Sequence, residues 1–333
     1  MNALFLCERP EVIGQVYAPE TQAALRELVG LERQVYAASD LRCAPERFAE
    51  ARYVFSTWGM PSLDEETIRR CLPSLRAVFY AAGSVQAFAR PFLNGGVRVF
   101  SAWAANAVPV AEYVVSQIVL ANKGFYAAAQ RSSGGDYAGA MQLRGRYPGN
   151  YGACVGIIGA GMIGRRVIRM LQAYRLRVIV FDPFLSEADA AALAVEKVDL
   201  PTLFHTAQVV SNHLADNAET RGMLTYPLFA SMCPYATFLN TGRGAQVVEA
   251  DLVRALRERA DLTAVLDVTA PEPPAAESPF FSLKNCFLTP HMAGSGGDEV
   301  HRMADYMVVE CRRLLTGEAV RYEVTAEMLK TMA

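Results

Sequence analysis

The stretch CVGIIGAGMIGRRV, residues 154–167, constrains this chain more than any other. A β-branched apolar run breaks at Gly159-x-Gly161-x-x-Gly164 and gives way to a helical pattern. Glycines there let the backbone turn tightly and approach a pyrophosphate, whose charge the free amides of a helix start attract. The spacing alone is weak, because glycines mark many tight turns. The strand before it and the helix after it make it a nucleotide-binding signature. The next apolar run, RVIVFD, ends in Asp182, 18 residues after Gly164. An acidic side chain at that place accepts ribose hydroxyls and repels a 2′-phosphate. NAD is therefore expected rather than NADP, although an ordinary strand-end turn residue would look the same.

At 333 residues the chain is longer than one hydrophobic core usually serves, so two domains are expected. Short apolar runs alternate with helical patterns in both halves, which argues for α/β architecture with parallel sheets. NALFLC (2–7), YVFSTWG (53–59), AVFYAAG (77–83) and VRVFSAW (97–103) are the strand candidates before the glycine turn. Residues 106–131 read as one long, mostly apolar helix, and 132–150 as a polar, Gly-rich loop. A net charge of −2 offers no electrostatic reason to expect nucleic acid or an anionic membrane. Seven scattered cysteines without a C-x-x-C pair suit reduced thiols. The first residues lack a basic segment followed by a signal-length apolar run, and no stretch of about 20 residues looks both apolar and uncharged. A soluble cytoplasmic protein is expected. No pair of His, Asp, Glu or Cys has metal-ligand spacing, so no metal is expected.

Three ionisable residues stand at or just past successive strand candidates of the second half. Arg243 follows TFLNTG, Glu272 follows TAVLDVTAP, and His291 ends CFLTPH. Each has an ordinary reading: a solvated loop cation, an exposed acid beside prolines, a packing histidine. Chemistry in such sheets lies beyond the carboxyl ends of strands. A guanidinium grips a 2-keto carboxylate with a planar fork and polarises the carbonyl. An imidazolium supplies a proton, and an adjacent carboxylate fixes its tautomer. The set is sufficient for reducing a 2-keto acid by hydride transfer.

Taken together, these features make the chain resemble the D-isomer-specific 2-hydroxyacid dehydrogenases. VGIIGAGMIG, HLADNAETRGML, FLNTGRGAQVVE, LDVTAPEPP and LTPHMAGS resemble that family's blocks in the family's order, over about residues 75–320. The resemblance implies a flavodoxin-like substrate domain (1–105 plus 297–333) interrupted by a Rossmann-type NAD domain (106–296). It implies Arg243, Glu272 and His291 as catalytic residues. It places Gly159, Gly161, Met162, Ile163, Gly164, Asp182, His213, Thr241 and Asp267 on the cofactor, with simple packing equally open for His213. YAAGSVQAF resembles the loop that holds the substrate carboxylate, which points to Ala82, Gly83 and Ser84. Asn106 matches the start of the interdomain helix, near the nicotinamide and substrate or at a hinge. The resemblance further implies a homodimer paired through the NAD domains, with residues 106–150 as the arm.

The chain also departs from the pattern. FSTWGMP offers no cation where phosphoglycerate-type members carry an arginine, which disfavours a phosphorylated substrate. Trp58, Tyr80 and Trp103 lie at strand ends and suggest an apolar substituent on the keto acid, unless they are core aromatics. Ala215 and Asp216 replace a proline and an apolar residue in a loop that touches the cofactor. Two other readings stand beside a dehydrogenase. One is a non-enzymatic NADH-sensing adaptor of the same family, which would need interaction tails. The other is a different Rossmann enzyme, which would leave Arg243, Glu272 and His291 unexplained.

Overall fold

Strands of four consecutive apolar or small residues can lie only where both faces of a sheet are covered. The computed structural model, described here for residues 1–330, is built on this pattern, in two compact units. The first unit comprises residues 1–106 and 295–333, the second 107–294. Strands of the first unit are β1 (Ala3–Leu6), β2 (Leu31–Tyr36), β3 (Tyr53–Ser56), β4 (Ala77–Tyr80) and β5 (Arg98–Ser101). Those of the second are β6 (Tyr151–Ile158), β7 (Arg175–Phe181), β8 (Glu196–Lys197), β9 (Val209–Asn212), β10 (Thr237–Asn240), β11 (Thr263–Leu266) and β12 (Cys286–Leu288). A final strand, β13 (Glu323–Val324), returns to the first unit.

The first sheet runs β13-β5-β4-β3-β1-β2, parallel except for β13 against β5. Its register sets Phe55 opposite Phe79 and Phe79 opposite Phe100. The three rings stack at 5.0 and 4.9 Å, a cross-strand ladder in which each pair adds about 0.5–1.5 kcal/mol beyond area burial. Arg98 clasps Glu323 with two bonds of 2.7 and 2.5 Å, and buried Glu310 accepts from the amides of Arg321 and Tyr322, so the returning segment is tied down. The second sheet is fully parallel, β12-β11-β10-β9-β6-β7-β8. Helices pack on both of its faces, giving one core around Phe204, Phe229 and Phe238 and another around Val114, Ile157 and Ile168. The chain reverses its winding between β6 and β9, and in such sheets ligands bind at that reversal.

Two expectations change. Residues 106–131 are not one helix. A helix over Trp103–Asn122 stops, Gly124 takes φ +68°, and a second helix runs Phe125–Ser133. The loop expected over 132–150 contains a helix at Tyr137–Gln142, started by the Asp136 carboxylate accepting from Gly139 N. Trp103–Asn122 is long and apolar enough to cross a membrane by length and composition, but it carries Glu112, in keeping with the sequence reading, and six of its residues, from Val110 to Ala121, lie in the second unit's core. Edge strand β2 escaped notice because Glu32, Arg33 and Gln34 interrupt its apolar alternation.

Candidate active site

The glycine turn joins β6 to a helix over Met162–Leu171. Gly159 has φ +90°, and a Cβ there would lie 3.0 Å from the His213 backbone at the end of β9. A Cβ on Gly164 would come within 2.0 Å of the Gly159 carbonyl oxygen, so helix and strand touch because this residue is bare. Gly161 faces open space. No side chain caps the helix, which leaves the amides of its first turn, at Met162 and Ile163, free for an anion. Asp182, at the end of β7, accepts from Ala160 N at 2.6 Å and Phe184 N at 2.7 Å. It stays half-buried, with lone pairs left for hydroxyl donors. These features fit a dinucleotide: a bare concave turn for pyrophosphate and a carboxylate for ribose.

His213 and Thr241 lie at the ends of neighbouring strands, with Nδ1 and Oγ1 3.5 Å apart; Ser211 Oγ is 2.9 Å from Nε2. Burial pushes the His213 imidazole down to about 3, so it is neutral at physiological pH. Asp216, the departure in the following loop, forms a two-bond pair with Arg221. Hydrogen bonding from Arg221 holds its carboxyl below the usual range, with a further contribution from the charge of Arg243.

Arg243, Glu272 and His291 follow β10, β11 and β12, three adjacent strands that end on the same edge. The loops interlock. A Cβ on Gly244 would fall 2.0 Å from the Thr269 carbonyl carbon, so the turn after Arg243 lies directly on the loop leading to Glu272. Glu249 reinforces this by accepting from Ala270 N at 2.8 Å. Arg243 itself is half-buried; its backbone N donates to Gln246 Oε1 at 3.1 Å and its carbonyl accepts from Asn240 Nδ2 at 3.2 Å. Gln246 and Asn240 both meet Asn212 Nδ2, at 2.6 and 3.0 Å, in a fully buried carboxamide cluster.

His291 Nδ1 is 2.6 Å from Glu272 Oε1. Both side chains keep 40% or more of their surface exposed, so the ring is oriented yet reachable. Among the described residues, Nε2 has no partner. The backbone of His291 takes φ +51°, which non-glycine residues adopt only when their surroundings enforce it. Asp267 enforces it. Its carbonyl accepts from His291 N, and its carboxylate accepts from Met292 N, Ala293 N and Thr289 Oγ1 at 2.6–2.9 Å. Asp267, expected on the cofactor side, is thus 2% exposed and anchors the histidine loop.

In the first unit, the Ser101 hydroxyl donates to the carbonyls of Ala82 and Gly83, at 2.9 and 2.5 Å. The amides of Gly83 and exposed Ser84 have no partner among the described residues. Asn106 Oδ1 accepts from Ser295 N at 2.9 Å, joining the two points where the chain leaves and re-enters this unit. Trp58 is half-buried on the core at the end of β3. The other two aromatics meet neighbouring rings. Trp103 meets Tyr322 edge-on at 5.9 Å, and buried Tyr80 meets Phe88 at 4.8 Å.

Residues 115–293 match the family model described as D-isomer specific 2-hydroxyacid dehydrogenase, NAD binding domain. The chain belongs to that family. An (S)-sulfolactate dehydrogenase of Chromohalobacter salexigens is 32% identical over 255 residues, covering 76% of this chain and 81% of that protein. A D-3-phosphoglycerate dehydrogenase of Mycobacterium tuberculosis is 34% identical over 170 residues, 51% of this chain but only 32% of the relative's length. A phosphoglycerate oxidoreductase of Rhizobium etli has the same fold, with a TM-score of 0.82 at 22% identity over 98% of this chain and 99% of that one. The protein is therefore an NAD-dependent 2-hydroxyacid dehydrogenase. Sequence reasoning missed Asn212, Asn240, Gln246 and Glu249, which position this dehydrogenase's loops. Nothing in their spacing marks them, since an amide or acid near a strand end looks like an ordinary loop residue.

Proposed function

We propose that this dehydrogenase interconverts a 2-keto acid and a D-2-hydroxy acid, with Arg243 on the carboxylate and carbonyl and His291 moving the proton. The observation that carries the reading is the 2.6 Å contact between His291 Nδ1 and Glu272. A carboxylate at Nδ1 keeps the proton on that nitrogen, which leaves Nε2 as the atom that exchanges one with substrate. In reduction, Nε2 donates to the carbonyl oxygen; in oxidation, the neutral ring takes the hydroxyl proton. Glu272 stabilises the charged ring in both directions, while the Arg243 guanidinium draws electron density from the carbonyl carbon. NADH, when bound, supplies the hydride.

The cofactor is assigned to the turn from Gly159 to Gly164, to Asp182, and to the strand ends of His213 and Thr241. The amides of Gly83 and Ser84 are assigned to the substrate carboxylate. A small, non-phosphorylated acid is favoured because β3 is followed by Thr57 and Trp58, without a cation. Seven free cysteines suit a reducing cytoplasm.

The test is NADH oxidation with glyoxylate, pyruvate, hydroxypyruvate and phenylpyruvate, by the wild type and His291→Gln. Loss of an acid–base group costs roughly 10²–10⁴-fold in rate, while NADH binding, read by fluorescence, stays intact. The reading fails if no keto acid is reduced, or if His291→Gln keeps the wild-type rate. A protein that bound NADH and reduced nothing would be an adaptor.

A further inference from the structure

The first unit carries a charged group that the reaction as proposed does not use. Its sheet reverses winding between β1 and β3, the kind of place where open parallel sheets bind ligands. Two segments leave the sheet there. Cys7–Arg9 follows β1, Trp58–Gly59 follows β3, and they are stitched together by Glu8 N donating to Gly59 O at 2.8 Å and Cys7 Sγ donating to Trp58 O at 3.4 Å. Gly59 has φ +107°, and a Cβ on it would lie 2.9 Å from Cys7 Sγ and 3.3 Å from Arg9 Nε. The bare glycine is what lets the Arg9 side chain lie against this turn.

Arg9 is exposed and forms no ion pair among the described residues. Its neighbour Glu8 spends its carboxylate on Ala38 N at 3.0 Å. The charge of Arg9 reaches the phenol of Tyr80 at the end of β4, opposing the burial that raises that group to about 12. Tyr80 is followed, after Ala81, by the loop of Ala82, Gly83 and Ser84. A lone guanidinium and a pair of free amides therefore stand at the ends of β1 and β4, with only β3 between those strands.

We propose that Arg9 is a specificity residue that binds a second anionic group, carried on C3 of a 2-keto acid whose carboxylate lies on the Gly83 and Ser84 amides. The inference rests on the proposed function and narrows its substrate class. A guanidinium presents paired N–H donors that match two oxygens of a carboxylate, sulfonate or phosphate. The missing cation at the end of β3 removes one donor to such a group; β1 supplies another.

Kinetics with NADH should be compared for pyruvate, oxaloacetate, 3-sulfopyruvate and 3-phosphohydroxypyruvate, in the wild type, Arg9→Gln and Arg9→Lys. The wild type is expected to prefer oxaloacetate or 3-sulfopyruvate to pyruvate, and the preferred acid identifies the anion; a preference for 3-phosphohydroxypyruvate would keep Arg9 on the anion but overturn the non-phosphorylated substrate class. Losing a hydrogen bond to a charged group costs roughly 10–100-fold. Arg9→Gln should raise the KM of that acid by this factor and leave the pyruvate and NADH KM within about twofold. Arg9→Lys, keeping the charge without the fork, should recover part of the loss. The proposal is overturned if the wild type uses pyruvate as well as the other three, or if Arg9→Gln penalises all four acids equally. If none of the four is reduced while glyoxylate, hydroxypyruvate or phenylpyruvate is, this inference alone is overturned; if no keto acid of either panel is reduced, the proposed function has failed and this inference falls with it.

Discussion

Gln246 carries no charge, yet its carboxamide joins two loops of different duty. Oε1 accepts from Arg243 N at 3.1 Å and Asn212 Nδ2 at 2.6 Å, and Nε2 donates to Leu214 O at 2.7 Å. With the side chain fully buried, its loss would leave Arg243 N and Leu214 O without that partner and Asn212 Nδ2 with Asn240 alone. Gln246→Met keeps the volume and removes every bond, so Arg243 should lose its fixed backbone. A displacement of about 1 Å at such a site costs on the order of 10²-fold in rate. The expected outcome is a kcat/KM loss of roughly tenfold or more that disappears when the same change is made in Arg243→Ala, because coupled residues are not additive. Losses that multiply in the double variant would mean that Gln246 does not act through Arg243. At this scale the sequence was uneven. Arg243, Glu272 and His291 stood out as candidates only as a set, past successive apolar runs, whereas Gln246 acquires a role only when three strand ends are side by side.

Secondary structure was legible wherever apolar residues covered both faces, as in β1, β3, β4 and β10. It failed where a backbone dihedral or a tertiary contact decided the outcome. Gly124 is the clearest case. Its φ of +68° ends the long helix, and a Cβ would sit 2.3 Å from the Tyr147 ring, so the glycine is needed for conformation and for space. A helical pattern read through Lys123–Gly124 cannot anticipate a ring that arrives from residue 147. Gly124→Ala should lower thermal stability; the left-handed conformation alone costs an L-residue about 1–2 kcal/mol. Adding Tyr147→Ala should relieve the clash but not the dihedral cost, so melting curves of the double variant should show partial recovery at most. A full recovery would assign the whole effect to crowding.

For the molecule as a whole, the helical segment that follows Gly124 presents Phe125, Tyr137 and Met141 to solvent, at 47%, 68% and 46% exposure. Large apolar side chains gathered on one segment suit a surface that a second copy covers. Sedimentation at micromolar concentration should give twice the chain mass, and Tyr137→Glu with Met141→Glu should shift it towards the monomer; a monomeric wild type would refute the pairing. The sequence by itself determined the fold class and the cofactor. Both depend on local patterns: apolar runs at strand spacing, and glycines where a turn must leave room for pyrophosphate. Which side chains hold the site in place was decided by tertiary structure. The anchoring of the His291 loop by Asp267, the carboxamide cluster behind Arg243 and the turn that accommodates Arg9 all join residues from different strands, and only the parallel sheets bring their carboxyl ends to common edges.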